Sequence, residues 1–316
     1  MVTSAAGGHG ALTISPEVQE AIRAKAPVVA LESAVITHGL PYPRNLEVAR
    51  QMESTLEDQG AVAATVAVID GRIQVGLTET ELQILAESKS SRKVGVRDLV
   101  YAAMKGATGG TTVAASMFAA GIARIQVFVT GGIGGVHREN PFDVSADLAG
   151  LAQTPMIVVC AGAKSILDLR ATLEVLETKG VPVLGYGSDE FPAFYSRTSG
   201  LGVSARFDWP HEIAAYWAAH RALGLKSALL VANPIPEESA IERDEMAVWL
   251  ARASSEAVDQ GIHGQALTPF LLERLGELSD HRTILANVAL LKNNARLGAQ
   301  IAVAVANLER TTEVQA

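Results

Sequence analysis

The sequence predicts an α/β fold in which helices cover both faces of a largely parallel sheet. Short apolar stretches of strand length alternate along the chain with amphipathic stretches of helical spacing, as in repeated strand–helix–strand units. The 316 residues are 48% hydrophobic and 19% charged, a composition typical of a globular protein with a substantial core. Both observations favour a compact, layered α/β domain.

The N-terminal half supplies the first of these units. A helix begins at Ser15, a favourable N-cap, followed by Pro16, which fits the first helical turn. Asp70 and Gly71 are typical of a hairpin turn, here between an apolar strand and the segment RIQVG. The other elements predicted in this half are a strand at 28–31, a helix at 45–59 that stops at Gly60, a strand at 61–69 and helices near 79–88, 97–105 and 111–120.

The second half continues the alternation and ends in a long helix. Its predicted elements are a strand at 124–130, a loop at 131–143, a helix at 145–152, a strand at 155–162, a helix at 165–180, a strand at 181–187 and an apolar helix from about 283 to 309. Neither a Pro/Ser-rich linker nor a repeat interrupts this succession. We therefore predict a single domain over residues 14–310, preceded by a flexible tail at 1–13.

Charge and cysteine content narrow the classes of function. The chain has 26 Lys and Arg against 34 Asp and Glu, a net charge of −8 without a basic stripe, which disfavours nucleic acid as a partner but leaves an anionic small molecule possible. A single cysteine, Cys160, excludes an internal disulfide and a cysteine zinc site. Without a signal-peptide pattern or a membrane-length apolar run, we expect a cytoplasmic protein.

Four unusual segments lie where predicted strands end. Ligands of parallel α/β sheets bind outside the carboxyl ends of the strands, so a site is expected among these segments. They are LESAVITHG, TGGIGGVH, AGAKS and VANPIP.

The glycine-rich segments do not fit the common nucleotide motifs. In TGGIGGVH, aligning Gly132 and Gly134 with G-x-G-x-x-G leaves His137 at the third glycine, and GATGGTT lacks the lysine of a P-loop. Two interpretations remain equally open. The glycines serve tight turns, or their backbone N–H groups approach an anion.

Carboxylates in two segments are candidates for chemistry. Glu32 directly follows the strand at 28–31, where burial raises a carboxyl pKa and suits a general acid, although a capping or surface role is the simpler alternative. Ser145 and Asp147 lie at an expected helix start, where either can cap. Asp143 and Asp147, four residues apart, could instead offer oxygen ligands to Mg²⁺ or Mn²⁺.

Lys164 is the most informative cation. Most lysines are solvated, but small residues precede this one and Ser165 is expected to cap the following helix, so a ligand could reach the amine. A neutral amine attacks a carbonyl-level carbon and forms a Schiff base. Lys93, in SRKVGVRDL, is either part of a phosphate site or a solvated turn residue, and for His38 a structural role is favoured.

Several long strings resemble one family, the pseudouridine-5′-phosphate glycosidases, also called indigoidine synthase A-like proteins. The resemblance runs from about residue 14 to about residue 305. Because irregular strings recur in the same order, it is far more specific than a single motif. The strings are LESAVITHGLPYPRN, KVGVRDL, GGTTVAASM, VFVTGGIGGVHR, FDVSADL, VVCAGAKSILDL, VANPIPEE and TPFLL.

The resemblance implies a three-layer α/β/α sandwich around a mixed, largely parallel sheet, a homotrimer and a divalent metal, usually Mn²⁺. It also implies reversible cleavage of the C–C glycosidic bond of pseudouridine 5′-phosphate to uracil and ribose 5-phosphate. In the family's mechanism an acid opens the ribose ring, and a lysine adds to C1′. The C–C bond then breaks to leave an imine that water hydrolyses.

Carried over by motif, Glu32 is the proton donor and Lys164 the nucleophile. Asp143 is the expected metal ligand, with Asp147 acting through water, and Asn287 matches an asparagine near the sugar. The residues implied to bind substrate are Lys93, Val113, Ser145, Ala146, Asp147 and Asn287.

Other functions remain alternatives. A Schiff-base aldolase or isomerase acting on a sugar phosphate would use the same lysine, and some relatives transfer the ribosyl group to another acceptor in pigment or antibiotic pathways. A phosphosugar-binding regulator without turnover would need no Glu32 acid.

Overall fold

The computed structural model describes residues 12–138, 140–262, 264 and 267–315. Its strands are Leu12–Ile14 (β1), Val28–Leu31 (β2), Val62–Ile69 (β3), Arg72–Val75 (β4), Arg92–Val94 (β5), Gly109–Thr111 (β6), Val127–Val129 (β7), Val136–His137 (β8), Ile157–Cys160 (β9), Leu167–Asp168 (β10), Val183–Tyr186 (β11), Ala205–Phe207 (β12) and Leu229–Ala232 (β13).

Helices connect most of these strands. They are Pro16–Arg23 (α1), Ala34–His38 (α2), Arg44–Asp58 (α3), Glu79–Glu87 (α4), Leu99–Met104 (α5), Val113–Ile122 (α6), Ala146–Gln153 (α7), Leu169–Thr178 (α8), Pro210–Ala222 (α9), Arg243–Asp259 (α10), Leu267–Leu278 (α11) and Arg282–Gln315 (α12), with short 3₁₀ turns at Val96–Asp98 and Glu237–Ser239.

Eleven strands form one mixed, largely parallel sheet. Its main path runs β1-β4-β3-β2-β7-β9-β13-β11-β12, and β5 and β6 extend it beside β3. Every pair from β3 through β2, β7, β9, β13 and β11 to β12 is parallel, whereas β3 pairs antiparallel with β4 and β6. The predicted hairpin is confirmed, with Asp70 and Gly71 at φ of 47° and 76° between β3 and β4.

Helices cover both faces of this sheet. Helix α12 packs on β2, β7 and β9 together with α3 and α9, and α6 packs on β2 and β3 with α7 beside it. The long apolar helix expected near the C-terminus is therefore the central helix of one layer. Gly298 is required there, since a Cβ would lie 2.2 Å from Val129 Cγ2. The α/β/α sandwich is confirmed.

Several predicted boundaries differ from the structure. Leu12 and Thr13, expected in the tail, pair with Ile73 and Gln74 because β1 adds a parallel strand to the edge of β4, while residues 1–11 lie outside the described part. Lys93, for which a solvated turn was one of two alternatives, lies in strand β5, which pairs in parallel with β6 at Gly109 and Gly110.

The helix expected from Ser165 starts later. Residues 167–168 pair antiparallel with residues 136–137, which keeps the chain extended, and Asp168 Oδ1 then accepts the N–H of Ala171 at 2.9 Å to cap α8. The Arg138 guanidinium fixes the same segment by donating to the carbonyls of Ser165 and Leu167 at 3.2 and 3.1 Å. Ser165 is therefore not the cap, and its buried hydroxyl has no hydrogen-bond partner among the described residues.

Candidate active site

Three polar side chains follow the carboxyl ends of neighbouring parallel strands. Glu32 comes directly after β2, Thr130 after β7 and Lys164 four residues after β9. Since these strands are parallel and adjacent, their ends meet at one edge of the sheet. Glu32 and Lys164 line one cavity, and Thr130 contacts Glu32, so three of the segments that follow predicted strands converge here.

Glu32 is a buried carboxyl group with one hydrogen-bond partner in the described chain. It is 9% exposed, and the Thr130 hydroxyl donates to its Oε1. Burial raises the pKa of Glu32, and this effect outweighs the positive charge of Lys164 and the hydrogen bond from Thr130, both of which lower the pKa. The carboxyl group therefore retains its proton more strongly than an exposed glutamate does, as a general acid requires.

Lys164 is held by backbone contacts between two loops. Its N–H donates to the Ile133 carbonyl at 3.1 Å, its own carbonyl accepts from Leu167 at 3.0 Å, and Ile133 forms a parallel bridge with Ala163. The side chain is half-buried. Within the described residues it forms no ion pair, so the amine is available to a substrate.

Lys93 and His38 complete the polar side of the site. Lys93 remains exposed as a residue, yet burial around its amine, followed by the positive charge of Lys164, lowers its pKa. His38 is half-buried, and its pKa is lowered by burial and then by Lys93. Its Nδ1 lies 2.6 Å from the Thr37 hydroxyl, which gives the ring a structural partner, as the sequence favoured.

These residues line one small cavity of about 50 Å³. Phe194, Leu272 and Leu291 close its apolar side. A larger cavity of about 810 Å³ lies between the segment after Lys164 and helices α10 and α11, but its lining includes none of Glu32, Lys93 and Lys164. We place the site in the smaller cavity because the acid and both amines converge there. Its lining is Glu32, Ala34, Val35, His38, Gly39, Lys93, Gly131, Gly132, Lys164, Phe194, Thr268, Pro269, Leu272, Asn287 and Leu291.

Asp147 holds the glycine-rich loop against helix α6. Its Oδ1 accepts the N–H of Ala114 at 2.9 Å and its Oδ2 accepts that of Gly134 at 2.8 Å. Ser145 caps α7 by accepting the N–H of Asp147 at 3.2 Å. Capping thus accounts for both residues, because each one caps a different helix.

The N-terminus of α6 keeps one donor for a ligand. Ala115 donates to the Thr112 hydroxyl at 3.4 Å and Ala114 to Asp147, whereas the N–H of Val113 has no partner among the residues described. Such a group at a helix N-terminus suits an anion, although Val113 does not itself line the cavity. Ala146, also expected near the substrate, is exposed at the start of α7.

The chain matches the family described as "Indigoidine synthase A like protein" over residues 17–304. It belongs to this family. Relatives named pseudouridine-5′-phosphate glycosidase include that of Jannaschia sp. (strain CCS1), 54% identical over 293 residues that cover 92% of this chain and 97% of that protein. The one from Symbiobacterium thermophilum is 52% identical over 300 residues, covering 93% and 97%.

Two solved structures share the fold. The prealnumycin C-glycosynthase in complex with ribulose 5-phosphate has a TM-score of 0.88 and 36% identity, covering 96% of this chain and all of that chain (100%). An indigoidine synthase A-like protein from Thermotoga maritima has a TM-score of 0.88 and 34% identity, covering 96% and 99%. The recognition of the family from its sequence motifs is therefore confirmed.

Asp143 is the metal ligand that the family resemblance implies. It is exposed, and among the described residues no group of three His, Cys, Asp or Glu side chains could hold a metal. Asp147 already accepts two backbone N–H groups. The residues present fit only a cation such as Mg²⁺ or Mn²⁺ that binds one carboxylate and keeps most of its water.

Sequence reasoning missed Asn294, which supports the site and has only a weak sequence signal. Asn294 on α12 is fully buried and donates to the carbonyls of Thr130 and Gly131 at 2.9 and 3.3 Å. Its Oδ1 accepts from Asn233 at 3.0 Å, which fixes the VANPIP segment. Asparagine at a position of an otherwise apolar helix face was the available clue, since a buried amide must find partners.

Proposed function

We propose that this protein reversibly cleaves the C–C glycosidic bond of pseudouridine 5′-phosphate, giving uracil and ribose 5-phosphate through an imine on Lys164. The observation that carries the proposal is the shared cavity of a buried acid, Glu32, and a half-buried unpaired amine, Lys164. The names of the relatives, which the chain matches over nearly its whole length, support the substrate.

The proposed reaction begins with acid catalysis. Glu32 gives its proton to the ribose ring oxygen as the C1′–O bond breaks, and the Lys164 nitrogen forms a bond to C1′. The nitrogen loses a proton after forming this bond, and a proton is delivered to the uracil carbon, which takes the electron pair of the breaking C–C bond while the lone pair of nitrogen forms C=N. Water then adds to the imine and releases ribose 5-phosphate. An amine is needed because the base offers no leaving heteroatom at this bond.

The anionic end of the substrate would lie near Lys93 and the N–H of Val113. Both groups are donors, and Ser145 and Ala146 lie at the start of the neighbouring helix α7. The cavity of about 50 Å³ is smaller than the 300–1,000 Å³ common for ligand sites, so a nucleotide requires outward movement of a wall. Helix α11 supplies part of that wall through Thr268, Pro269 and Leu272.

A divalent cation, Mn²⁺ or another of similar size, would be held by the Asp143 carboxylate, with Asp147 reached through water. When bound, it would neutralise charge on the substrate phosphate. Calorimetric titration with Mn²⁺ should detect binding to the wild type, and Asp143→Asn should weaken it at least tenfold. Equal affinity of both proteins would refute this assignment.

We further propose a homotrimer in the cytoplasm. Within the described residues no helix is both long and apolar enough to cross a bilayer. Equilibrium sedimentation is the direct test, with a trimer mass expected and a monomer mass contradicting it.

A second candidate is C-ribosylation of another acceptor. It is favoured by the 36% identity to a prealnumycin C-glycosynthase over 96% of this chain. Both functions predict an imine with ribose 5-phosphate, so only the base distinguishes them. A sugar-phosphate aldolase or isomerase would form no C-nucleotide at all.

The decisive experiment incubates the protein with uracil, ribose 5-phosphate and Mn²⁺ and assays for pseudouridine 5′-phosphate. The wild type should form this nucleotide, and so should Lys226→Ala, a control substitution at an exposed lysine. Lys164→Ala should not form it. Normal turnover by Lys164→Ala would exclude the proposed mechanism. An imine without C-nucleotide formation from uracil would favour another acceptor or the aldolase.

A further inference from the structure

Phe194 is a strained aromatic residue in the cavity to which the proposed chemistry gives no role. Its φ is 65°, in the left-handed region that bulky side chains avoid. The other described non-glycine residues with positive φ are polar: Lys25, Asp70, Arg124, Asp280 and His281. Strain at a large apolar side chain persists only where surrounding contacts fix it, and such positions cluster at functional sites.

The contacts that fix Phe194 come from the loop that carries Lys164. The Phe194 N–H donates to the Ala161 carbonyl at 3.1 Å, and Ala193 forms an antiparallel bridge with Gly162. Gly162 has a φ of 88°, and a Cβ there would lie 2.2 Å from the Pro192 carbonyl oxygen. The two loops are therefore tied together, two residues before the amine.

The ring itself is fixed against the backbone of the other strand-end loop. A Cβ on Gly132 would lie 2.6 Å from both Cδ2 and Cε2 of Phe194, so only glycine allows the ring to lie there. Tyr195 packs on the same ring in a T-shaped arrangement with centroids 4.6 Å apart. Phe194 is 3% exposed and lines the cavity beside Lys164.

The two parts of a C-nucleotide differ in the surroundings they need. A ribose phosphate is charged and hydroxylated, which suits Glu32, Lys93 and Lys164. A pyrimidine has apolar faces and a polar edge, which suits an aromatic surface with an amide beside it. Phe194 provides that surface, and the Asn287 side chain, which makes no hydrogen bond within the described chain, lines the same cavity.

We propose that Phe194 determines recognition of the departing base: the base packs on its ring, next to the Asn287 amide, while the sugar reacts with Lys164. This inference rests on the proposed function and adds a role for a residue that does not take part in bond making. The contacts with Ala161, Gly132 and Tyr195 hold the ring in place before the base arrives, which reduces the ordering cost of binding.

Two measurements on the same variants separate base recognition from imine formation. The first traps the imine of ribose 5-phosphate on Lys164 with borohydride. The second measures the KM for uracil in C-nucleotide synthesis at saturating ribose 5-phosphate. Phe194→Leu removes the ring but keeps an apolar side chain, Phe194→Tyr keeps the ring, and Phe118→Leu is the matched control on the exposed side of α6.

Phe194→Leu should raise the KM for uracil roughly five- to tenfold, the usual contribution of an aromatic contact, with trapping within about twofold of wild type. Phe194→Tyr and Phe118→Leu should leave both quantities within about twofold. If Phe194→Leu does not fold, Phe194→Met replaces it with the same expectation.

An unchanged KM for uracil would overturn the inference, as would a parallel loss of trapping, which would make Phe194 a positioning residue for Lys164 instead. A wild type that neither traps nor synthesises would refute the proposed function itself, and the inference with it. A wild type that traps but rejects uracil would refute uracil as the base that Phe194 recognises.

Discussion

Glu32 and Asp147 are both buried carboxyl groups, and burial, with a smaller contribution from the charge of Asp147, raises the pKa of Glu32. The chain nevertheless surrounds them differently. Both oxygens of Asp147 accept backbone N–H groups, whereas Glu32 accepts one threonine hydroxyl and is otherwise desolvated. Backbone donors stabilise a carboxylate, and burial without them favours the protonated acid. The same functional group thus anchors a loop at Asp147 and, in the proposed reaction, donates a proton at Glu32.

The largest effect is expected from removing the acid. Glu32→Gln keeps the shape of the side chain but has no proton to give, so kcat/KM should fall by roughly 10²- to 10⁴-fold while the protein remains folded. Steady-state assays with thermal unfolding as a check measure both.

Glu53 offers a matched control for this variant. It is also a carboxyl group with a burial-raised pKa that accepts a threonine hydroxyl, that of Thr65, but it lies outside the cavity. Glu53→Gln should keep activity within about twofold. If the two variants lost activity equally, Glu32 would have no special role as an acid.

A smaller effect, on the free energy of unfolding, is expected from removing the Asp147 carboxylate. Asp147→Ala leaves the N–H groups of Ala114 and Gly134 without their acceptor, and the free energy of unfolding should fall by about 2–4 kcal/mol. Urea denaturation measures it. Ser145→Ala, which removes a single helix cap, should cost only about 1 kcal/mol. An Asp147→Ala protein of wild-type stability would show that this carboxylate is not an anchor.

The smallest effect is expected from the hydrogen bond that Thr130 donates to Glu32. This bond lowers the pKa of Glu32, so Thr130→Val should raise that pKa further. Since activity needs the protonated acid, kcat/KM falls as pH rises through this pKa, and the falling limb should move to higher pH in the variant. The pH–rate profile measures this limb, and a shift to lower pH would contradict the assignment of Glu32 as the proton donor.

The same pKa shift has a consequence for stability. Because the pKa of Glu32 is raised on folding, the native state binds this proton more tightly than the unfolded chain. Its contribution to stability is therefore fully present at pH values below the ordinary glutamate pKa and is lost as pH rises through the folded value. Glu32→Gln should remove this pH dependence.

The sequence alone placed Glu32 and Lys164 just after buried strands, as the structure does, because apolar strands have local signals and ligands of parallel sheets bind at strand ends. It misplaced the helix cap, since Ser165 and Asp168 are both capping residues and the choice depends on pairing with residues 136–137. Thr130 and Asn294 are separated by 164 positions, so their contact has no local signal. The strained backbone of Phe194 likewise depends on contacts between loops.

The central claim is that Lys164, and not the neighbouring Lys93, forms the covalent bond to the sugar. Borohydride reduction in the presence of ribose 5-phosphate, followed by peptide mass mapping, tests it most directly. We predict a stable adduct on the peptide that contains Lys164 and no label on Lys93. An adduct on Lys93, or no adduct on either lysine, would contradict the account.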